Sequence, residues 1–480
     1  MTNTHDKYKD SILVFIFTLA CCLFAYGFAL SNHTISIDVD GMDNFIHTIN
    51  LGRWAHALLK VYVLHEPWVP FFSLAFSIIC ISASAVLISS HLKMTLNESL
   101  MFSCLFATFP QFAYQLQFTN QSDTFGIGLL MCTYSTVRFS YGGFLNYIFF
   151  FLINVFVISI YQSFALLPAT LIAVFYLYKA ASGNCELKKW FISSVLISLL
   201  TIASAIGSIV ISKFVKQHYG ITDVSYFASM ISWGNSDFKD AISGLWGFIY
   251  YNCFTQTWYG LNFYILTIIS TIAIIIASIK RGIICFYTTV VLSLVVIISP
   301  FILNILIGSG TPARTLNQMP LVFGITIMLG LRLIKRKAIS NAIVAIILLS
   351  SFGYINLLFY SDKVADDQTR MISEQIMSDV YHHYPELINK HTPLYMSGRL
   401  NIKNLWKQYA SDDFGISFYE RGVSIRTVSY IENRGIANVT PVDESILNDA
   451  QKSSIMSLQK WPEEGSIKIV DGMILVRLPD

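Results

Sequence analysis

Residues 144–179 read FLNYIFFFLINVFVISIYQSFALLPATLIAVFYLYK. The hydrocarbon core of a bilayer takes about 20 residues of helix, so this run is too long for one crossing. The polar Tyr161-Gln162-Ser163 divides it into two spans, 144–160 and 163–179. Outward from there, apolar runs occupy 11–30, 70–90, 99–117, 124–139, 190–212, 262–279, 282–306, 318–334 and 338–360, which makes eleven spans in all. Of these, 99–117 and 124–139 are short or polar. Ser11 to Leu30 carries no small-residue cleavage pattern and reads as a retained first helix. The expected fold is a polytopic α-helical membrane protein.

Composition points the same way. Of 480 residues, 54% are hydrophobic and 13% charged, and the mean hydropathy is +0.57. A soluble chain carries about 25% charged residues, so this one cannot clothe a water-facing surface along its whole length. A net charge of +3 argues for no nucleic-acid partner. No G-x-x-x-x-G-K phosphate loop is present, so no nucleotide site is expected. Cys21, Cys22, Cys80, Cys104, Cys132 and Cys285 lie inside apolar runs, which suggests neither a disulfide framework nor a C-x-x-C zinc site.

Lys and Arg in short loops mark the cytoplasmic side. Lys7 and Lys9 precede the first span, and basic residues recur at every second boundary: Lys93, Arg138, Lys179 with Lys188 and Lys189, Lys280 with Arg281, and Arg332 with Lys335, Arg336 and Lys337. That pattern puts the N-terminus in the cytoplasm. Three large pieces then lie outside: the loops 31–69 and 213–261 of a membrane body 1–360, and a tail domain 361–480. The tail reads as a small α/β domain. An amphipathic helix runs through Asp367 to Tyr384, alternating segments cover Val423–Val428 and Ile467–Val470, and Asp471-Gly472 turns the chain before Met473–Leu478. No internal repeat supports an inverted-repeat transporter.

The first outer loop is the richest in chemistry. Asp38, Asp40 and Asp43 fall within six residues, and in an extended segment Asp38 and Asp40 would project to one side about 7 Å apart. Two such acids repel, so one pKa should rise unless a cation intervenes. The pair suits a general base, or a grip on a divalent metal, or simply a solvated acidic loop. Leu51-Gly52-Arg53-Trp54 follows at the start of a short interfacial helix, where Arg53 can clamp a phosphate. Trp54 can stack on a sugar or anchor at the headgroups. Asp123, beside Gln111, Tyr114, Gln115, Gln117, Asn120 and Gln121, is either functional or a helix N-cap. Tyr161 and Gln162 cap a turn between spans, and Arg314 sits in a Gly-rich loop. The loop 213–261 carries Lys213, Lys216, His218, Trp233, Trp246, Trp258 and Tyr259, fitting a sugar-phosphate groove or helices in the headgroup zone. His33, His47, His56 and His65 lack metal-ligand spacing.

Taken in order, these residues resemble the GtrII-type glucosyltransferases, the serotype-converting enzymes of bacteriophages and enterobacterial O-antigen clusters. The resemblance rests on Ile37-Asp38-Val39-Asp40, where the family shows D-x-[DE], and on Leu51-Gly52-Arg53-Trp54, where it shows G-R-W. It extends to Gln111–Gln117 with Asp123, to Tyr161-Gln162-Ser163, and to the many-helix body with an outer tail. It implies a GT-C-like transferase of the bacterial inner membrane that takes glucose from undecaprenyl-phosphate-glucose on the periplasmic face. The acceptor it implies is a sugar hydroxyl of the lipopolysaccharide O-antigen. An acid of the first loop would be the base in an inverting, in-line displacement. Asp40 holds the matching position, but many relatives carry Glu there, so Asp38 and Asp40 both stand, with Asp43 third. Arg53 and Arg314 would meet the leaving phosphate, Trp54, Asp123, Tyr161 and Gln162 would line the substrate, and Arg477 would face the acceptor. A divalent cation is the one cofactor the acids leave open.

Other classes remain to be separated. A transporter or flippase for a lipid-linked sugar would bury charges at mid-membrane depth and show internal symmetry. An O-antigen polymerase would not need the order of D-x-D before G-R-W. A phage surface-exclusion protein would only bind or mask envelope components.

Overall fold

Inside a bilayer every backbone N–H and C=O must find its partner within the chain, so apolar runs become helices. The computed structural model describes residues 4–41, 44–221, 231–235, 237–255, 260, 262–408 and 412–479. Among them, six helices are long and apolar enough to cross a membrane: Tyr8–Ser31, Phe72–His91, Gln162–Ala181, Leu187–His218, Ile283–Ile307 and Lys337–His383. Shorter apolar helices cover Leu96–Ala107, Phe144–Ile160, Tyr264–Ile279 and Met319–Leu331.

The eleven apolar runs are thus helical for most of their length, but six helices combine the length and hydropathy of a crossing. Proline explains part of the difference, because it lacks the N–H that continues a helix. The run 99–117 breaks before Pro110 into Leu96–Ala107 and Gln111–Leu116. Ser299-Pro300 also interrupts 282–306, between Ile283–Ile298 and Ile302–Ile307, yet Ile283–Ile307 as a whole keeps the length and hydropathy of a crossing. The polar run 124–139 becomes a longer helix, Thr119–Ser140.

Small residues at helix contacts let backbones approach closely in a bilayer, while large apolar side chains face the lipid. Leu187–His218 exposes Phe191, Val195, Leu199, Ile202, Ile206 and Phe214, whereas its Ser204, Ser208 and Ser212 are buried. Close packing of two helices depends on Gly126. A Cβ there would stand 2.7 Å from Ser77 Cα on Phe72–His91.

One end of the helical unit gathers the basic loops. Arg281 donates to the Ala180 carbonyl at 3.3 Å, and Arg332 donates to Ser182 at 3.1 Å while pairing with Glu98 at 3.2 Å. His91, Ser140, Lys179 and Lys189 line one cavity of about 240 Å³ at this end. A disulfide joins Cys185 to Cys285 here. That corrects the expectation of no disulfide, because two cysteines 100 residues apart carry no spacing signal in the sequence.

The chain divides into two compact units. The first comprises Met1–Leu30 and Asn44–Asn356, and the second Ser31–Asp43 and Leu357–Asp480. The acidic segment therefore clusters with the tail. Within the second unit, strands β1 (Thr392–Ser397), β2 (Val439–Pro441), β3 (Ile467–Val470) and β4 (Met473–Arg477) form a sheet ordered β2-β1-β4-β3. β1 runs parallel to β2 and β4, and β3–β4 is the expected hairpin. Strand alternation gives β4 two faces. Ile474 and Val476 pack with Ile376 and Val380 of the long helix and with Val428, whereas Met473 and Leu475 pack with Leu447 and Ile455.

Val423–Val428 is not a strand. Ser424–Asn433 is a helix that buries Thr427, Val428, Tyr430 and Ile431, and this three-to-four spacing prevails over a short alternation.

Replacing Gly126 with Val should overpack the helix contact and destabilise the chain by about 1–3 kcal/mol. Thermal unfolding in detergent measures this. Gly353→Ala, where an added Cβ meets nothing within 4 Å, is the control and should not lower the midpoint.

Candidate functional site

Two groups of chemistry-bearing side chains stand out, one in each unit. In the helical unit the G-R-W segment leads into the helix Trp54–Tyr62. Gly52 has φ +77°, a left-handed conformation that glycine adopts without a Cβ penalty, and it turns the chain so that Arg53 precedes the helix. Arg53, His56 and Lys60 recur at helical spacing and so share one face.

Each residue of that face meets a specific partner. Arg53 donates to Gln162 Oε1 at 3.3 Å and to Gln121 Oε1 at 3.2 Å, and its guanidinium lies 4.9 Å from the centre of the Tyr161 ring. Gln162 in turn donates to the Leu51 carbonyl at 2.9 Å. His56 Nδ1 lies 2.8 Å from Thr124 Oγ1. The Thr124 hydroxyl gives its hydrogen to the Gln121 carbonyl at 3.0 Å, so Nδ1 carries the proton of a neutral imidazole. Burial, with Arg53 and Lys60 nearby, drives the His56 pKa down to about 3. Lys60 donates to Asp123 Oδ2 at 3.0 Å, and both side chains are only 1% exposed.

Asp123 is not an N-cap. Its helix starts at Thr119, and its carboxylate also accepts from Ser73 at 3.0 Å and from the Thr124 N–H at 2.8 Å. Trp54 is buried, with its indole N–H 3.4 Å from the Ser208 carbonyl and its ring edge-on to Phe156. The indole is thus held between helices.

A second run of hydrogen bonds reaches Arg314. Gln111 Nε2 donates to the carbonyls of Ala313 and Arg314, each at 3.3 Å, and to Asn317 Oδ1 at 3.2 Å. Asn317 donates onward to Ser163, next to Gln162. The Arg314 guanidinium lies 4.7 Å from the centre of the Phe118 ring. Arg53, Tyr161 and Gln162, scattered along the sequence, are thus in direct contact, whereas Arg314 is tied through its backbone carbonyl, by way of Gln111 and Asn317, to Ser163 beside Gln162. Ser73, at this network, and His91, among the basic loops, begin and end one helix. The network and the basic loops thus lie about 27 Å apart along it.

In the second unit the acidic segment is not extended. Asp38 has φ +65°, which Asp tolerates better than most residues, and the Val39 N–H donates back to the Ser36 carbonyl at 3.1 Å. The helix Ser424–Asn433 holds this turn. Arg426 Nη1 lies 2.9 Å from Asp38 Oδ1 and 3.2 Å from Asp40 Oδ1. Asn433 Nδ2 donates to the carbonyls of Val39 at 3.4 Å and Asp40 at 3.2 Å. Upstream, Thr34 donates to Asp362 at 3.1 Å, and Ile35 packs on Phe418 and Tyr430.

The two acids differ sharply. The Asp38 side chain is 40% exposed and that of Asp40 is 9% exposed. Burial pushes the Asp40 carboxyl above the usual carboxylate range, and the Arg426 guanidinium pulls it part of the way back. The cation between the acids is thus an arginine, in the place a divalent metal would need. Among the described residues, no cluster of three or more His, Cys, Asp or Glu side chains could hold a metal ion. Asp43, Trp258 and Tyr259 lie outside the described residues. Arg477 is occupied with the carbonyls of Met456 and Leu458, at 2.6 and 2.9 Å.

Sequence reading missed Lys60, His56, Arg426 and Asn433 as partners. The i, i+4 spacing of His56 and Lys60 was a usable signal, whereas nothing in the sequence links Arg426 to an acid 386 residues away.

Removing one member of a buried ion pair strands the other charge, at a cost of about 3–5 kcal/mol. Lys60→Met should therefore lower stability by that order, and Lys60→Met with Asp123→Leu should recover most of it, as read by thermal unfolding in detergent.

The family described as Glucosyl transferase GtrII matches residues 27–331, more than half of the chain. No curated protein and no solved structure matches.

Proposed function

Because the chain belongs to the GtrII glucosyl transferase family, we propose that it is a GT-C-like inner-membrane enzyme moving glucose from undecaprenyl-phosphate-glucose to a sugar hydroxyl of the lipopolysaccharide O-antigen. The observation that carries the chemistry is the unequal acid pair. A general base works best with a pKa near the operating pH, and Asp40 is the buried, raised member. The acceptor hydroxyl gives its proton to Asp40 as its oxygen bonds to C1. The bond from C1 to the phosphate oxygen breaks on the opposite face, which inverts the anomeric centre and releases undecaprenyl phosphate. Arg53 and Arg314 neutralise the charge that grows on that phosphate, an electrostatic contribution that is often the largest in such steps. Tyr161 and Gln162 orient Arg53, and Trp54 and Asp123 hold its helix in place.

The test is glucose added to polysaccharide in a host with a defined O-antigen and a donor supply. Asp40→Asn should lower transfer by about 10²–10⁴-fold, the usual worth of a general base, and Asp38→Asn should cost less. Arg53→Lys should also lower transfer, since an ammonium cannot form the same fork. Full activity in both aspartate variants would exclude the proposed base. Movement of unmodified lipid-linked sugar between leaflets, without transfer, would replace the enzyme by a flippase.

For the orientation, we propose that the basic loops face the cytoplasm and the tail the periplasm. Arg281, Arg332, Lys179 and Lys189 at one end of the helical unit support this reading. The disulfide between Cys185 and Cys285 lies at that end, and this orientation requires it to be open in the cell, because a reducing compartment keeps such a pair as thiols. Membrane-impermeant thiol labelling should therefore fail on intact spheroplasts and succeed on inverted vesicles. Labelling in the opposite order would reverse the orientation.

A further inference from the structure

We infer that Arg426, carried by the tail helix Ser424–Asn433, is the positioning residue that holds Asp38 and Asp40 in working geometry. On this view the tail completes the acid site and is not a passive appendage. The inference rests on the proposed transferase reading.

The geometry is specific. One guanidinium nitrogen reaches both carboxylates, at 2.9 and 3.2 Å, so a single cation offsets two charges that would otherwise repel. Seven residues on, Asn433 holds the carbonyls of Val39 and Asp40 at 3.4 and 3.2 Å. Two turns of one helix thus set both the backbone and the side chains of the D-x-D turn. The same unit pins the segment upstream. Asp366 accepts the Ile35 N–H at 3.5 Å and the Tyr430 hydroxyl at 3.0 Å, and it pairs with Arg434. Among the described residues, the charged groups facing Asp40 are Asp38 on its own segment and Arg426 on the helix.

Arg426 lies outside the matched stretch 27–331. Its contribution is electrostatic, because a nearby cation favours the ionised form of an acid. Without it, Asp40 keeps its proton to higher pH and cannot accept another.

The experiment is the pH profile of glucose transfer by the full chain in membrane vesicles supplied with lipid-linked glucose and O-antigen. Arg426→Gln should move the acid limb up by about 1–2 pH units, with roughly tenfold or greater loss below the limb and recovery above it. Arg426→Lys should keep the limb near its wild-type position, because the charge remains. If Arg426→Gln does not accumulate, Arg426→Gln with Asp38→Asn, compared with Asp38→Asn alone, carries the same measurement and should shift in the same direction. A wild-type limb position in the Gln variant, or a uniform loss at every pH, overturns the inference while leaving the transferase reading standing. A wild-type chain that transfers nothing overturns the reading on which it rests.

Discussion

Lys60 and Asp123 sit sealed inside the helical unit, each only 1% exposed and 3.0 Å apart. Two charges out of water are tolerable only if each satisfies the other and the remaining lone pairs find donors. Ser73 and the Thr124 N–H supply those donors. The pair therefore ties together three elements: the helix after the G-R-W turn, the start of Phe72–His91 and the first turns of Thr119–Ser140. With Lys60 held, His56 meets Thr124 one turn earlier, and Arg53 reaches Gln121 and Gln162 one turn before that. The network around Arg53 is thus an extension of one buried ion pair along a single helical face.

The acid pair obeys the same electrostatics with a different result. Asp38 and Asp40 are not neutralised one-to-one. They share one guanidinium nitrogen, and only Asp40 is buried. An acid that is desolvated yet close to a cation can hold an intermediate pKa, which neither full exposure nor a tight private ion pair would allow. Such a compromise suits proton transfer, where a base must both accept and release.

Much of this was legible in the residues. The apolar runs, the division at Tyr161-Gln162-Ser163, the hairpin at Asp471-Gly472 and the helix through Asp367 to Tyr384 all follow from local pattern. The order of D-x-D before G-R-W pointed to the family that the match over 27–331 shows. Other readings failed where the deciding contact is distant. Val423–Val428 alternates like a strand but winds into a helix, because burying Val428 and Ile431 together against the sheet satisfies more apolar surface. The enclosure of Trp54 by Phe156 and the Ser208 carbonyl likewise has no local signal.

Sequence alone determined that the chain is built of helices fit for a bilayer, that basic residues recur at alternate boundaries, and which side chains could carry chemistry. Those properties are local, since they depend on transfer free energy, periodicity and charge along a few turns. Tertiary structure decided what each candidate touches: Asp123 pairs with Lys60, Cys185 meets Cys285, and Asp40 rather than Asp38 is the buried acid. It also brought the D-x-D turn into the unit of the tail, under Arg426. Burial and ion pairing are properties of neighbours in space, and the neighbours that matter here lie between 50 and 394 residues apart along the chain.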